Sequence, residues 1–257
     1  MMELADGTIS AFTIADLLDD PAQANAVYFV PSDQAAHAAD PLIAATEAHV
    51  WQRAQANGLT EAIMTYSLSD KDTVGQVALI TRGYTQARLF YIMQINLDSP
   101  ITPDPAPPAF ALRPFDPTRD AAATYAAQVE AFQDHWNFHM PPLEEWLYDL
   151  QKPTFDPSHW WLAETDGQIV GIVLSEAINA QTASVGIVGV RPAWRRHGLA
   201  LRLLQRCFEV HQRQGRKRVR LGVDADNRYD ATALYTRAGM TVDSRTLYYQ
   251  KTLTQMP

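Results

Sequence analysis

The hydrophobic pattern changes period several times along the chain. Tyr28-Phe29-Val30 and Val188-Gly189-Val190 are short apolar runs closed by Pro31 and Pro192, which predicts strands. Leu199, Leu203, Cys207 and Val210 recur at helical spacing, with Leu201, Leu204 and Phe208 beside them, so an amphipathic helix follows the second run. Asp120–Phe132 is rich in alanine with apolar residues at the same spacing. Pro141-Pro142-Leu143-Glu144-Glu145-Trp146 reads as a helix start, with prolines near the first turn and acids where the helix dipole favours them. Phe110–Phe115, His159–Ala163, Leu89–Leu97 and Leu247–Leu253 read as strands. After residue 109 the order is strand, helix, helix, three strands, helix, strand, helix, two strands. That order predicts a mixed α/β fold with a central mixed sheet.

The pattern also repeats. Asp6-Gly7-Thr8-Ile9 resembles Asp166-Gly167-Gln168-Ile169, each an Asp-Gly turn opening an apolar strand. Asp72 stands seven residues before Leu79, and Asn227 seven before Leu234. Thr81-Arg82-Gly83-Tyr84 then corresponds to Thr236-Arg237-Ala238-Gly239-Met240, and both copies end in an aromatic strand. The second copy alone has a strand–helix–helix–strand opening. The first copy thus reads as truncated, which exposes a strand edge near residues 8–15 and predicts a cover for it, from the second copy or from a homodimer partner. The proline-rich stretch 99–108 reads as a semi-rigid linker. The expected domains are 1–98, incomplete, and 109–257, complete, in a monomer or homodimer.

Composition narrows the class of protein. The 257 residues are 47% apolar and 19% charged, which excludes a disordered chain. No run of 18 apolar residues occurs, so no membrane partner is expected. A single cysteine and an acidic, polar N-terminus fit a cytoplasmic location. Residues 1–100 hold four Lys/Arg against twelve Asp/Glu and so carry the whole net charge of −8. Arg191–Arg220 instead holds ten basic residues and one acid, Glu209. An acidic chain with one concentrated basic segment points to a local anion site and away from nucleic acid.

That segment begins with VGVRPAWRRHGLA, residues 188–200. A strand runs through a turn into a helix whose first residues include Gly198 and Ala200, so a ligand can approach the backbone closely. Free amides of a first helical turn favour an anion. The pattern Arg195-x-x-Gly198-x-Ala200, followed by Asp224-Ala225-Asp226-Asn227 and Ala231-x-x-Leu234-Tyr235-x-x-x-Gly239-Met240, resembles the GCN5-related N-acetyltransferase superfamily. The tandem layout is similar to that of mycothiol synthase-like members. The resemblance is good over 109–253 and weak over 5–98. It implies acetyl-CoA as co-substrate, with the pantetheine arm along Val188, Gly189 and Val190. The pyrophosphate then lies on Arg195, Arg196, His197, Gly198, Leu199 and Ala200, and Asn227 touches the arm. Tyr235 is implied as the general acid for the departing thiolate. The acceptor is implied to be a primary amine of a small molecule or peptide, attacking the thioester directly.

The general base is not legible. The strand Ser184–Val190 has no acid, which leaves Glu176, Glu130, Asp134 and His135 as candidates, and a non-catalytic acyl-CoA-binding protein of the same fold as the alternative. Cys207 reads as a small core residue. Asn227 is either a helix cap or a cofactor contact. His135 and His139 lie with Trp136 and Phe138 between two expected helices, and no metal is assigned to them. Arg213–Arg220 reads as a solvated helix end that partly serves the phosphates. In the first copy, Ser32–Asp40 has no Gly or Arg and carries Asp33 and Asp40 where phosphate would sit, and Ile80 stands in for Tyr235. No acetyl-CoA is expected there.

Overall fold

The structure, a computed structural model, describes residues 2–3, 9–17, 20–31, 35–101, 103–135, 138, 140–227 and 229–254. The Asp6-Gly7 turn, Ser32-Asp33-Gln34, Trp136 and His139 lie outside the described residues. The chain divides into two units, Met1–Tyr91 with Asp224–Asp226 and Ser244–Pro257, and Ile92–Val223 with Asn227–Asp243.

The first unit contains β1 (Met2–Glu3), β2 (Ile9–Leu17), β3 (Gln23–Phe29), α1 (Ala35–Ala56), β4 (Glu61–Ser69), α2 (Thr73–Thr81) and the start of β5 (Thr85–Asn96). β2 and β3 pair antiparallel, and β3 and β4 pair parallel. β1 pairs with β2 through Met2↔Ala11 and Glu3↔Ile9, so part of the edge expected to be open near residues 8–15 is met by the chain itself. Asp72 caps α2 by accepting the Gly75 amide at 2.9 Å. Ile43, Val50 and Ala54 of α1 pack with Met64, Tyr66 and Leu68 of β4. Phe12, Ile14, Phe29 and Ile63 stay exposed on the sheet.

The second unit contains β6 (Ala111–Pro114), α3 (Pro117–Phe132), α4 (Leu143–Asp149), β7 (Trp161–Thr165), β8 (Gln168–Ala177), β9 (Thr182–Val190), α5 (Leu199–Arg213), β10 (Arg218–Asp224, whose last residue falls in the first unit) and α6 (Ala231–Arg237). Antiparallel ladders join β6, β7, β8 and β9 in turn, and β10 runs parallel to β9. Asp166 and Gly167 both have positive φ, 48° and 72°, the backbone of a tight two-residue hairpin between β7 and β8. The succession β8–β9–α5–β10–α6 repeats β2–β3–α1–β4–α2 in order and in pairing sense. The sheet is covered on two sides. A methyl group at Gly189 would meet Phe132 and Ala131 of α3, and one at Gly171, a row away on the opposite face, would meet Leu203 of α5.

Two segments behave differently from their sequence cues. The proline-rich stretch does not stand free. Ile101 and Asp104 donate their amides to Gln212 and Gln205 at 3.0 and 3.1 Å, and Asp104 pairs with Arg202 at 3.4 Å, so it is strapped along α5. The last strand, β11 (Thr241–Thr254), hydrogen-bonds β4 from Thr246↔Ser69 to Thr254↔Glu61. Its Leu247, Tyr249 and Leu253 are buried in the core of the first unit, and alternation alone does not say which sheet a strand will join.

Candidate functional site

The site is built on β9. On one side β9 pairs with β8 as far as Val190↔Gly171. On the other side β10 pairs with it only at Thr182, Ala183 and Ser184. The register on β8 shifts between Leu174↔Ile187 and Ser175↔Val185, which leaves Gly186 as an extra, bulged residue. From Val185 to Val190 β9 therefore offers an edge that β10 does not occupy, and an extended ligand can pair with it as a strand would.

That edge leads directly into an anion cradle. Arg196 has φ 67° and Gly198 φ 75°, both left-handed, and Gly198 is the N-cap of α5. A left-handed residue followed by a helical one turns successive amides to one side, forming a nest for an anion. The first helical bond is Arg202 N–H to Gly198 O at 3.3 Å, and among the described residues no protein acceptor meets the amides of 196–201. Leu199 is buried and anchors this end of the helix. His197 Nδ1 lies 3.1 Å from Trp194 O, and its ring packs 5.6 Å from Phe110.

The basic residues of this segment are mostly engaged. Arg191 pairs with Glu130 at 3.3 Å, Arg213 with Glu209 at 2.5 Å, Arg220 with Asp243 at 3.6 Å, and Arg206 with Glu209. Arg195 donates to Val190 O and Ala131 O, each at 3.1 Å. Arg196 has no such partner among the described residues. The sequence reasoning missed Arg202, one helical turn beyond Gly198. Its guanidinium lies 3.8 Å from where a Gly198 Cβ would stand, and the i, i+4 spacing was the available signal.

Tyr235 lies on α6 and is 9% exposed. Its hydroxyl has no hydrogen-bond partner among the described residues, and burial pushes its pKa up to about 12. Asn227 does not cap α6, which begins after Asp230; its Oδ1 accepts the Tyr229 amide at 2.9 Å and shapes the loop. Cys207 is buried, its thiol raised to about 12 by desolvation, so it is an unreactive core residue.

The four candidate bases differ in position. Glu130 is tied to Arg191. Asp134 accepts the Tyr229 hydroxyl at 3.1 Å, and the His135 ring packs 4.5 Å from Phe132. Glu176 is exposed on β8 directly opposite Ser184, the last β9 residue paired with β10. Leu174, two residues earlier on the same face, packs in the core formed with α3 and α4. The Glu176 carboxylate thus sits on that face, beside the point where β9 and β10 part.

Comparison with known proteins agrees with this geometry. Residues 121–240 match the model of the acetyltransferase (GNAT) family. The chain is 33% identical over 165 residues to a mycothiol acetyltransferase of Thermobispora bispora, covering 62% of this chain and 56% of that protein. A mycothiol acetyltransferase of Frankia casuarinae is 32% identical over 212 residues, 75% of this chain and 61% of that one. The chain spans little more than half the length of the curated relatives it matches. A GCN5-related N-acetyltransferase from Sphaerobacter thermophilus superposes with a TM-score of 0.86 at 29% identity, over 99% of this chain and 80% of that one. A tandem GNAT protein from the clavulanic acid biosynthesis pathway shares the fold, with a TM-score of 0.73 at 16% identity. With the signature residues on a strand, a cradle and a helix start in that order, residues 121–240 are a domain of the acetyltransferase (GNAT) family.

Proposed function

We propose that the second unit transfers an acetyl group from acetyl-CoA to a primary amine of a small molecule or peptide. One observation carries the reading: an unoccupied strand edge, Val185–Val190, ends at an unsatisfied cradle of amides, 196–201. An amide-bearing arm joined to a pyrophosphate fits that sequence of groups. Val188, Gly189 and Val190 would hold the arm. The amides of Arg196, His197, Gly198, Leu199 and Ala200, with the Arg196 side chain and Arg202 beside them, would hold the phosphates. Asn227 shapes the loop next to Tyr229. When bound, acetyl-CoA supplies an acyl thioester at the open edge.

The chain's own groups would then move two protons. Tyr235, with a pKa near 12, keeps its proton at neutral pH and would give it to the departing sulfur. Glu176, exposed and on the α3/α4 face beside the end of the β9–β10 pairing, is the base we favour for the incoming amine. The first unit repeats the second without its α3–α4 layer and serves as a non-catalytic copy. Asp40, expected where phosphate would sit, pairs there with Arg82 at 3.0 Å. Ile80, the counterpart of Tyr235, is exposed on α2.

Thiol release from acetyl-CoA, measured against a panel of primary amines with the full chain, tests the reading. Amine-dependent release supports it. Tight CoA binding with no release on any amine would replace it by acyl-CoA binding alone.

A further inference from the structure

Arg195 occupies the signature position where charge is expected to meet phosphate, yet its guanidinium is committed elsewhere. Nε donates to Val190 O and Nη2 to Ala131 O, both at 3.1 Å. Its flat face lies over the Tyr229 ring, 4.3 Å from the centroid. The Tyr229 hydroxyl in turn donates to Asp134 Oδ2 at 3.1 Å, which closes a circuit back to the end of α3. One planar group thus joins three segments: the last carbonyl of the open β9 edge, the C-terminal turn of α3, and the loop 227–230 before α6. Carbonyls at a helix C-terminus are acceptors without intrahelical donors, so a cation there is favoured on its own account. Gly189 strengthens the same junction, since even a methyl group would stand 2.9 Å from Phe132 and 3.0 Å from Ala131.

We propose that Arg195 is a positioning residue, and that it sets the spacing between the open edge of β9 and the two segments flanking it rather than binding the cofactor's phosphates. The inference deepens the acetyl-transfer reading and rests on it for its kinetic consequence only. A lysine cannot replace the planar fork, because it presents one ammonium where Arg195 makes two directed bonds and a stacking contact.

The test uses the full chain with Arg195→Lys, Tyr229→Leu and the double variant, together with Arg196→Gln as the phosphate-side control. Calorimetric titration with CoA is expected to show Arg195→Lys within about twofold of wild type and Arg196→Gln weakened about tenfold, the loss of one charge-assisted contact. Loss of CoA affinity in Arg195→Lys by tenfold or more makes it a phosphate ligand and overturns the proposal, whether or not an acceptor amine is known. With acetyl-CoA and with S-acetylpantetheine, which carries no phosphate, as donors, Arg195→Lys is expected to lower kcat by the same factor, on the order of tenfold. A drop confined to acetyl-CoA overturns the proposal. In thermal unfolding Arg195→Lys and Tyr229→Leu are expected to be non-additive, the double variant costing less than the sum; strict additivity would mean that no circuit exists. If no amine supports turnover in wild type, the acetyl-transfer reading fails, while the titration and unfolding arms still decide the role of Arg195.

Discussion

Acidification should loosen the second unit through one buried imidazole. His211 lies on α5, fully buried, between a cation and a hydroxyl. Arg216 Nη1 donates to its Nδ1 at 3.2 Å. Nε2 must therefore carry the proton and donate to Ser175 Oγ at 2.9 Å, which itself donates to His159 O at 2.7 Å. A second proton on Nδ1 would face the Arg216 guanidinium. Desolvation, with His159 and Arg216 adding to it, holds the pKa down at about 3, against 6.5 for a free imidazole. Because the folded value is depressed, the unfolded chain binds the extra proton first as pH falls. Stability is complete above pH 6.5 and declines by roughly 1.4 kcal/mol per pH unit below it, down to pH 3. Between pH 6.5 and 4.5 the loss is about 2.7 kcal/mol. Asp120, held low by Arg113 and Arg119 despite its burial, contributes to acid lability from the ordinary aspartate pKa of 3.8 downward, below the window between pH 6.5 and 4.5. Urea unfolding followed by tryptophan fluorescence suits the measurement. Among the described residues, Trp146, Trp160, Trp161 and Trp194 belong to the second unit and only Trp51 to the first. His211→Gln should lower stability at pH 7 and flatten the slope. An equal slope in wild type and His211→Gln would refute the assignment of the proton to this ring.

Three further outcomes are expected. Tyr235→Phe should reduce kcat by 10²–10⁴-fold with little change in KM for acetyl-CoA; an unchanged kcat in steady-state thiol release removes Tyr235 as the acid. In the first unit, Gly75→Ala drives a methyl group into the Tyr28 hydroxyl, which bonds the capping residue Asp72. It should cost about 2–4 kcal/mol by thermal denaturation, and only part of that should be relieved in a Tyr28→Phe background, because Asp72 Oδ2 and the ring carbon Cζ remain 2.6 and 2.7 Å from the methyl group. Arg196→Gly should be about 1 kcal/mol more stable than Arg196→Ala, since glycine tolerates the φ of 67°, while both bind CoA about equally weakly by calorimetry.

How much of this was legible in the chain depends on whether a feature is local. The turn at Asp166-Gly167, the amphipathic helix from Leu199 and the cradle at Gly198 follow from neighbours in sequence, and local backbone chemistry specifies them. The α3 start carries a local signal too, Asp116 capping and Pro117 at the first helical position, but the apolar spacing showed the helix only from Asp120. The destination of β11 was not, because strand alternation names a face and leaves the partner open. Nor was the commitment of Arg195. Its acceptors, Ala131 O and the Tyr229 ring, lie 64 residues before it and 34 after it, and no spacing rule connects them. A basic run read from sequence is a sum of charges, whereas binding depends on which of them already have partners. Here Arg191, Arg206, Arg213 and Arg220 are neutralised by acids that fold back onto them. The anion site is thereby reduced to the amides of 196–201 with Arg196 beside them and Arg202, itself paired with the exposed Asp104. It follows that salt should screen CoA binding with the shallow dependence of one or two cations, far from the steep dependence that a ten-residue basic segment would imply.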